Sequence, residues 1–209
     1  MREKIIQAIR PLSDVGDDSA RGSPAPTGDH DLDRGPRSDS PLTPAAVLVP
    51  LVMRDAGLHV LLTQRTEHLN DHAGQVSFPG GRREESDAGS VATALRETRE
   101  EIGLAEDFIE VVGLLDDYET GTGFRITPVV SFVSEGFTLN LDSFEVADAF
   151  EVPLDYLFNP ANQQRRSRDF NGRRRHYYLF EYGAREDREH RAEAQHIVEV
   201  RYHIVGVVE

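Results

Sequence analysis

The chain has 209 residues, 38% of them hydrophobic, and a formal net charge of -14. This length allows one sizeable hydrophobic core, and the acidic balance argues against binding to nucleic acid, which depends on lysine and arginine at the phosphate backbone. The sequence contains no cysteine, which excludes disulfides, cysteine nucleophiles and cysteine-ligated zinc.

The first ten residues are predicted to form a short helix with Ile5, Ile6 and Ile9 on one side. The stretch that follows, to residue 43, is rich in Asp, Ser, Gly and Pro and is predicted to be a disordered tail. The start of the chain lacks the pattern of a secretory signal, and no stretch approaches the roughly 18 apolar residues of a membrane span. We therefore expect a cytoplasmic protein that does not bind membranes.

One globular domain is predicted over residues 44–209. Its first two apolar segments, residues 45–52 and 59–65, are typical of paired strands because a turn-like sequence at residues 55–57 separates them. Pro50 predicts that the first strand lies at a sheet edge or is interrupted, since proline cannot donate to the hydrogen-bond ladder.

A helix is predicted over residues 88–103, followed by strands at residues 109–115, 126–133 and 177–182. An arginine-rich hairpin is predicted around Asn171 and Gly172, and its tip is either solvated or contacts an anionic substrate. Residues 185–194 favour a helix and residues 195–209 a strand. Strands interspersed with a few helices indicate an α/β or α+β layered domain.

Three glutamates lie close together on the helix predicted over residues 88–103. At 100° per residue, Glu97, Glu100 and Glu101 lie opposite its apolar side. Carboxylates at these spacings repel one another, and a divalent cation would reverse that penalty. Their oxygens suit hard ions such as Mg²⁺ or Mn²⁺, which also accept substrate phosphates as ligands. Taken alone, the spacing favours a solvated acidic face.

The segment before this helix favours a functional site over a solvated acidic face. Gly80 and Gly81 permit unusual backbone conformations and a close approach of the backbone to a substrate, and Asp87 can cap the helix. The complete pattern resembles the Nudix box, and its members are Gly80, Gly81, Asp87, Arg96, Glu97, Glu100, Glu101 and Gly103.

The Nudix resemblance implies an α/β/α sandwich with a mixed β-sheet. It also implies an enzyme that hydrolyses a diphosphate joining a nucleoside to another group. On this match Glu97, Glu100 and Glu101 would bind Mg²⁺ or Mn²⁺, Glu100 and Glu101 would act in catalysis, and Arg96 would orient a carboxylate. Compared with the usual box, the interval before Arg96 is one residue longer, and Asp87 replaces a Glu.

Residues 61–81 resemble the signature of one Nudix branch, the coenzyme A diphosphatases. This implies that coenzyme A or acyl-coenzyme A is cleaved to 3′,5′-ADP and 4′-phosphopantetheine or its acylated form. Asn70 and Thr66 depart from the branch's pattern, and the chain has no Trp for its usual C-terminal motif. ADP-ribose, dinucleotides or nucleoside triphosphates are therefore alternative substrates, and a non-catalytic Nudix-fold binding module is a second alternative.

Further candidates lie on loops and strand ends. Arg65 either pairs with a substrate phosphate or forms a structural salt bridge. Thr122 and Phe124 belong to a glycine-containing segment that either contacts substrate or is a plain hairpin turn. Glu145 or Asp148 either activates water, as the resemblance implies, or caps a helix. The expected partner is a small nucleotide resembling coenzyme A; a homodimer is one possible oligomeric state.

Overall fold

The computed structural model describes residues 1–12, 27–28, 41–68, 74–170, 173–182 and 196–200. Asn70, the helix predicted over residues 185–194, the turn at residues 171–172 and most of the predicted tail lie outside the described residues. In the described part of the chain, no helix has the length and apolar character needed to cross a membrane.

The described helices are α1 (Arg2–Ala8), α2 (Ser90–Ile102) and α3 (Leu154–Phe158), with 3-10 turns at Glu106–Phe108 and Pro160–Asn162. The first six strands are β1 (Thr27–Gly28), β2 (Thr43–Arg54), β3 (Gly57–Arg65), β4 (Val76–Ser77), β5 (Gly80–Arg82) and β6 (Ile109–Leu114). The others are β7 (Tyr118–Glu119), β8 (Phe124–Val133), β9 (Val146–Pro153), β10 (Gln164–Phe170), β11 (Arg173–Tyr182) and β12 (His196–Val200).

The larger sheet is mixed, as predicted, and is built around β2. One edge of β2 pairs with β8 in parallel, while its other edge pairs antiparallel first with β5 and then with β3. β6 and β7 pair with β8, and β9 pairs with the far edge of β3. A separate antiparallel sheet contains β10, β11 and β12, in which the two arginine-rich strands on either side of residues 171–172 pair with each other as predicted.

The central position of β2 shows that the edge alternative predicted from Pro50 was wrong, whereas the predicted interruption is found in the ladder along one edge of the strand. The N–H of Leu48 donates to the carbonyl of Pro79, on the edge that faces β5 and β3. Successive N–H groups alternate between the two edges, so the nitrogen of Pro50 faces this same edge. Pro50 falls between Val47, the last residue of β2 that pairs with β5, and Leu51, the first that pairs with β3. Because β2 changes partner here, the ladder requires no N–H donor from Pro50.

Side chains of β2 alternate between two hydrophobic clusters, as expected for a strand buried on both faces. On one face, Ala46 and Leu48 pack with Ala94 of α2. On the other face, the cluster includes Val47, Val49 and Leu51 with Ile5 of α1, Ile9 directly after it, and Leu154 and Leu157 of α3. The sheet therefore lies between α2 on one side and α1 with α3 on the other, which is the predicted α/β/α sandwich.

Helix α1 contributes to this core through only one part of its predicted apolar side. Ile5 and Ile9 are buried, whereas Ile6 is 42% exposed. The division of the chain at residue 44 stays a prediction, but the packing of α1 joins the start of the chain to the same core.

Candidate active site

The three glutamates of α2 lie in different environments. Glu101 is only 6% exposed, the side chain of Glu97 is 19% exposed, and that of Glu100 is 55% exposed. A solvated acidic face would leave all three carboxylates in water. Two of them are instead held against the protein, which requires specific partners because burying a charge is costly.

The backbone of β5 supplies part of that environment. Gly80 has a φ of +152°, and its N–H donates to Oε2 of Glu101 over 3.0 Å. A Cβ on Gly80 would lie 2.4 Å from the carbonyl oxygen of Ala46, and one on Gly81 would lie 2.6 Å from Cδ of Glu97. Gly80 thus needs to be glycine because of its φ and its contact with the β2 backbone, whereas a side chain at position 81 would displace the carboxylate of Glu97.

Arg96 binds three carboxylates, one before α2 and two on it. Its Nε and Nη2 each donate to Asp87 over 3.0 Å, in a two-pronged pair. Its Nη1 donates to Glu97 over 3.0 Å and to Glu100 over 2.9 Å, and Nη2 also reaches the carbonyl of Arg82. Arg96 therefore ties the turn before the helix, β5 and two of the glutamates together.

Asp87 does not cap α2, contrary to the prediction. Gly89 is the N-cap residue and provides no side-chain cap. The carboxylate of Asp87 accepts hydrogen bonds from Arg96, from the hydroxyl of Thr93 and from the N–H of Glu84. The hydrogen bond from Arg96, followed by those from Glu84 and Thr93, holds the pKa of Asp87 well below its usual range.

Burial raises the pKa of the two partly enclosed glutamates. Desolvation raises the pKa of Glu101 to about 7, although Gly80 and Arg65 act in the opposite direction. Desolvation is also the main cause of the raised pKa of Glu97, against the lowering effect of Arg96. The charge of Glu145 raises both values further. A cation bound here would remove this electrostatic penalty.

Arg65 and Glu145 face the same carboxylates from the other side of the site. Nη1 of Arg65 lies 3.7 Å from Oε1 of Glu101, and Nη2 lies 3.9 Å from Oε2 of Glu145. Both distances exceed hydrogen-bond length, and Nε of Arg65 is buried without a partner among the described residues. The structural salt bridge is therefore loose, and the guanidinium has donors to spare.

Glu145 and Asp148 differ in their relation to this cluster. Glu145 directly precedes β9 and reaches Arg65, whereas Asp148 lies within β9 opposite Gln64 and accepts from the N–H of Ala149. Glu145 thus precedes a strand and Asp148 lies inside it, so the interpretation of either residue as a helix cap was wrong.

A metal ion is suited to the chemistry of these donors. The described residues contain no group of three acidic or histidine side chains already arranged to hold a metal ion, and Glu97 and Glu100 are both hydrogen-bonded to Arg96. The donors are nevertheless all carboxylate oxygens, those of Glu97 and Glu101 lie against the β5 backbone, and burial raises the pKa of both of these residues. Such oxygen-only sets fit Mg²⁺ or Mn²⁺.

Thr122 and Phe124 lie farther along the sheet. The N–H of Gly123 donates to the carbonyl of Thr120, and the hydroxyls of Thr120 and Thr122 lie 2.9 Å apart, so the segment forms a tight turn between β7 and β8. The ring of Phe124 packs under the guanidinium of Arg82, 5.1 Å away. Arg82 in turn accepts from Arg96 through its carbonyl. A contact of Thr122 or Phe124 with substrate stays a prediction.

Comparison with known proteins supports the resemblance carried by these residues. The family profile of the NUDIX domain matches residues 42–171, more than half of the chain. This chain belongs to the Nudix family. The prediction of a Nudix protein is thereby confirmed, and the relatives that it matches are named hydrolases.

These relatives are bacterial Nudix proteins named NudL and described as uncharacterized. The one from Enterobacter sp. (strain 638) is 41% identical over 131 residues, covering 60% of this chain and 67% of that protein. The one from Citrobacter koseri is 46% identical over 110 residues, covering 53% of this chain and 57% of that protein. The present chain thus spans roughly three fifths of the length of these relatives.

Proposed function

We propose that this Nudix protein hydrolyses a diphosphate linkage in a nucleotide-containing substrate with Mg²⁺ or Mn²⁺, and that the substrate is coenzyme A or acyl-coenzyme A. The observation that carries the proposal is the packing of the Gly80–Gly81 backbone against Glu101 and Glu97. This packing places two partly buried carboxylates directly beside the backbone of β5. Such an arrangement is suited to binding a metal ion and a phosphate rather than to a structural role.

Glu97 and Glu101 would hold the metal, with Glu100 as a third ligand after release from Arg96. When bound, a divalent ion supplies Lewis-acid chemistry, neutralising the diphosphate and increasing the acidity of water. Helical spacing places Glu97 and Glu100 on the same side of α2, and Arg96, held by its pair with Asp87, donates hydrogen bonds to both. Its part is to position these carboxylates rather than to contact phosphate.

Arg65 is the proposed phosphate-binding cation. Its guanidinium lies close to Glu101 and Glu145 without forming a hydrogen bond of normal length to either. An incoming phosphate oxygen can therefore accept from Arg65 without breaking a strong native interaction. The acidic chain thus provides a positive group where the diphosphate would bind.

Glu145 is the proposed general base. Its side chain is 44% exposed, so a water molecule can reach it, and it faces the same site as Glu101 through Arg65. In this mechanism Glu145 accepts a proton from water as the water attacks one phosphorus in line with the departing phosphate. The products would be 3′,5′-ADP and 4′-phosphopantetheine or its acylated form.

The choice of coenzyme A is supported by the resemblance of residues 61–81 to the coenzyme A diphosphatases. In the structure, both ends of this segment adjoin the glutamates, with Arg65 near one end and the two glycines at the other. A segment in this position can select the group attached to the diphosphate.

The substrate can be tested by incubating the purified chain with Mg²⁺ or Mn²⁺ and a panel of coenzyme A, acetyl-coenzyme A, ADP-ribose, NADH, diadenosine polyphosphates and nucleoside triphosphates. Products separated by chromatography should include 3′,5′-ADP from the coenzyme A compounds. Cleavage of the other compounds alone would reject coenzyme A while retaining diphosphate hydrolysis. If no compound is cleaved with either metal, the proposed enzymatic function is wrong.

A further inference from the structure

One aromatic side chain next to the candidate site is unusually exposed. Four large apolar residues in the described part of the chain are prominently exposed, and three of them, Met1, Ile6 and Leu12, belong to the N-terminal segment. The fourth is Phe144, which is 64% exposed. Exposure of so large an apolar side chain forgoes the stabilisation that burial would give.

The backbone around Phe144 is fixed by hydrogen bonds. Its N–H donates to the carboxylate of Asp142 over 2.9 Å, and its carbonyl accepts from the hydroxyl of Thr66 over 2.8 Å. The N–H of Thr66 donates to the carbonyl of the next residue, Glu145, over 3.0 Å. These bonds join the turn before β9 to the end of β3, so the aromatic ring is displayed from a defined backbone position.

The ring has an aromatic neighbour on one side. His68 meets Phe144 edge to face, with ring centroids 4.9 Å apart and an angle of 61° between the planes. This contact restricts the orientation of the phenyl ring but leaves most of its surface accessible, as its exposure shows. A flat aromatic ligand can therefore stack on it.

The position of Phe144 relates this surface to the diphosphate site. Phe144 is adjacent to Glu145, which faces Arg65 and through it Glu101. A nucleotide with its diphosphate at these groups would carry its base a short distance away. Bases of any identity stack on aromatic side chains because every base has a π face.

We infer that Phe144, supported by His68, is the stacking platform for the nucleobase of the substrate. The inference rests on the proposed nucleotide diphosphatase function and assigns the residue that recognises the base. Stacking of one base on an aromatic side chain is worth about five- to hundredfold in affinity. The platform would favour nucleotides over diphosphates without a base, with little preference between bases.

The chain has no tryptophan, so Phe144→Trp introduces a single fluorophore at the platform and preserves an aromatic surface. Titration with AMP should quench its fluorescence saturably, whereas ribose 5-phosphate, which lacks only the base, should not. Ile6→Trp is a matched control on the exposed side of α1 and should respond to neither compound. Binding is read without catalysis, so this result is independent of whether the chain turns over any substrate.

Activity provides the second measurement. Phe144→Ala should raise KM for the substrate identified in the panel by about five- to hundredfold with a smaller change in kcat, and Phe144→Tyr should restore it. The inference is overturned if AMP and ribose 5-phosphate quench Phe144→Trp equally or not at all. It is also overturned if Phe144→Ala leaves KM unchanged in an active enzyme, a result that would not affect the proposed hydrolysis.

Discussion

At the scale of single residues, the site depends on two glycines that no other residue can replace without displacing neighbouring atoms. Gly80 combines a positive φ with backbone contact on β2, and Gly81 lies against the carboxylate of Glu97. The sequence predicted that a backbone would approach a substrate here. The structure shows that the same backbone also positions the carboxylates, a relation that depends on how β5 pairs with β2.

Gly80→Ala should destabilise the fold by at least about 2 kcal/mol, because alanine would be strained at this φ and its Cβ would meet the Ala46 carbonyl oxygen. Gly123→Ala is the matched control, because Gly123 also has positive φ but no atom would lie within 4 Å of a Cβ added there. This substitution should lower the free energy of unfolding by only about 1 kcal/mol. Urea denaturation measures both. Equal losses would contradict the role assigned to the close contact.

At the scale of elements, α2 and the turn before it form one unit through Arg96 and Asp87. The glutamate spacing and the approximate extent of the helix were predictable from periodicity and the glycine pattern. The partner of Asp87 was not, because a carboxylate before a helix can accept from the helix N-terminus or from a side chain one turn or more away. The backbone of the turn decides between them, and here Arg96 and Thr93 are the donors.

Asp87→Asn should lower the free energy of unfolding by about 2 kcal/mol at pH 7, since it weakens charge-assisted hydrogen bonds to Arg96. Folding lowers the pKa of Asp87. The ionised carboxylate therefore gives its full stabilisation above the unfolded-state pKa of about 4, and this stabilisation is lost as the pH falls below that pKa. The difference from wild type should therefore shrink in denaturation measured from pH 5 to pH 3. A constant difference over that range would contradict this linkage.

At the scale of the whole molecule, the sandwich forms because the strands of the central sheet bury both faces. Apolar segments and turns predicted β2, β3, β6 and β8, and the Nudix resemblance predicted their layered arrangement. Of the two alternatives inferred from Pro50, the interruption was right for one edge of β2, and the edge position was wrong because local sequence does not reveal where a strand changes partners. No motif around Phe144 predicts a role for it, because its position beside Thr66 and His68 depends on the turn before β9.

The first helix is expected to be an integral part of this core. Ile5→Ala should destabilise the protein by about 3 kcal/mol because Ile5 is 5% exposed within the cluster under the sheet. Ile6→Ala, one residue away and 42% exposed, should cost about 0.5 kcal/mol or less. Thermal or urea denaturation compares them, and equally small effects would indicate that α1 is a dispensable attachment.

The most direct test of the central proposal is the rate of diphosphate cleavage by wild type, Glu97→Gln and Glu101→Gln at saturating Mg²⁺ or Mn²⁺, with coenzyme A as substrate. Circular dichroism would verify folding, and Glu106→Gln, an exposed glutamate beyond α2, would serve as the matched control. We predict a loss of about a hundredfold or more in kcat for both site variants and near-normal turnover for Glu106→Gln. Folded Glu97→Gln and Glu101→Gln proteins that both retain wild-type rates would contradict the proposal.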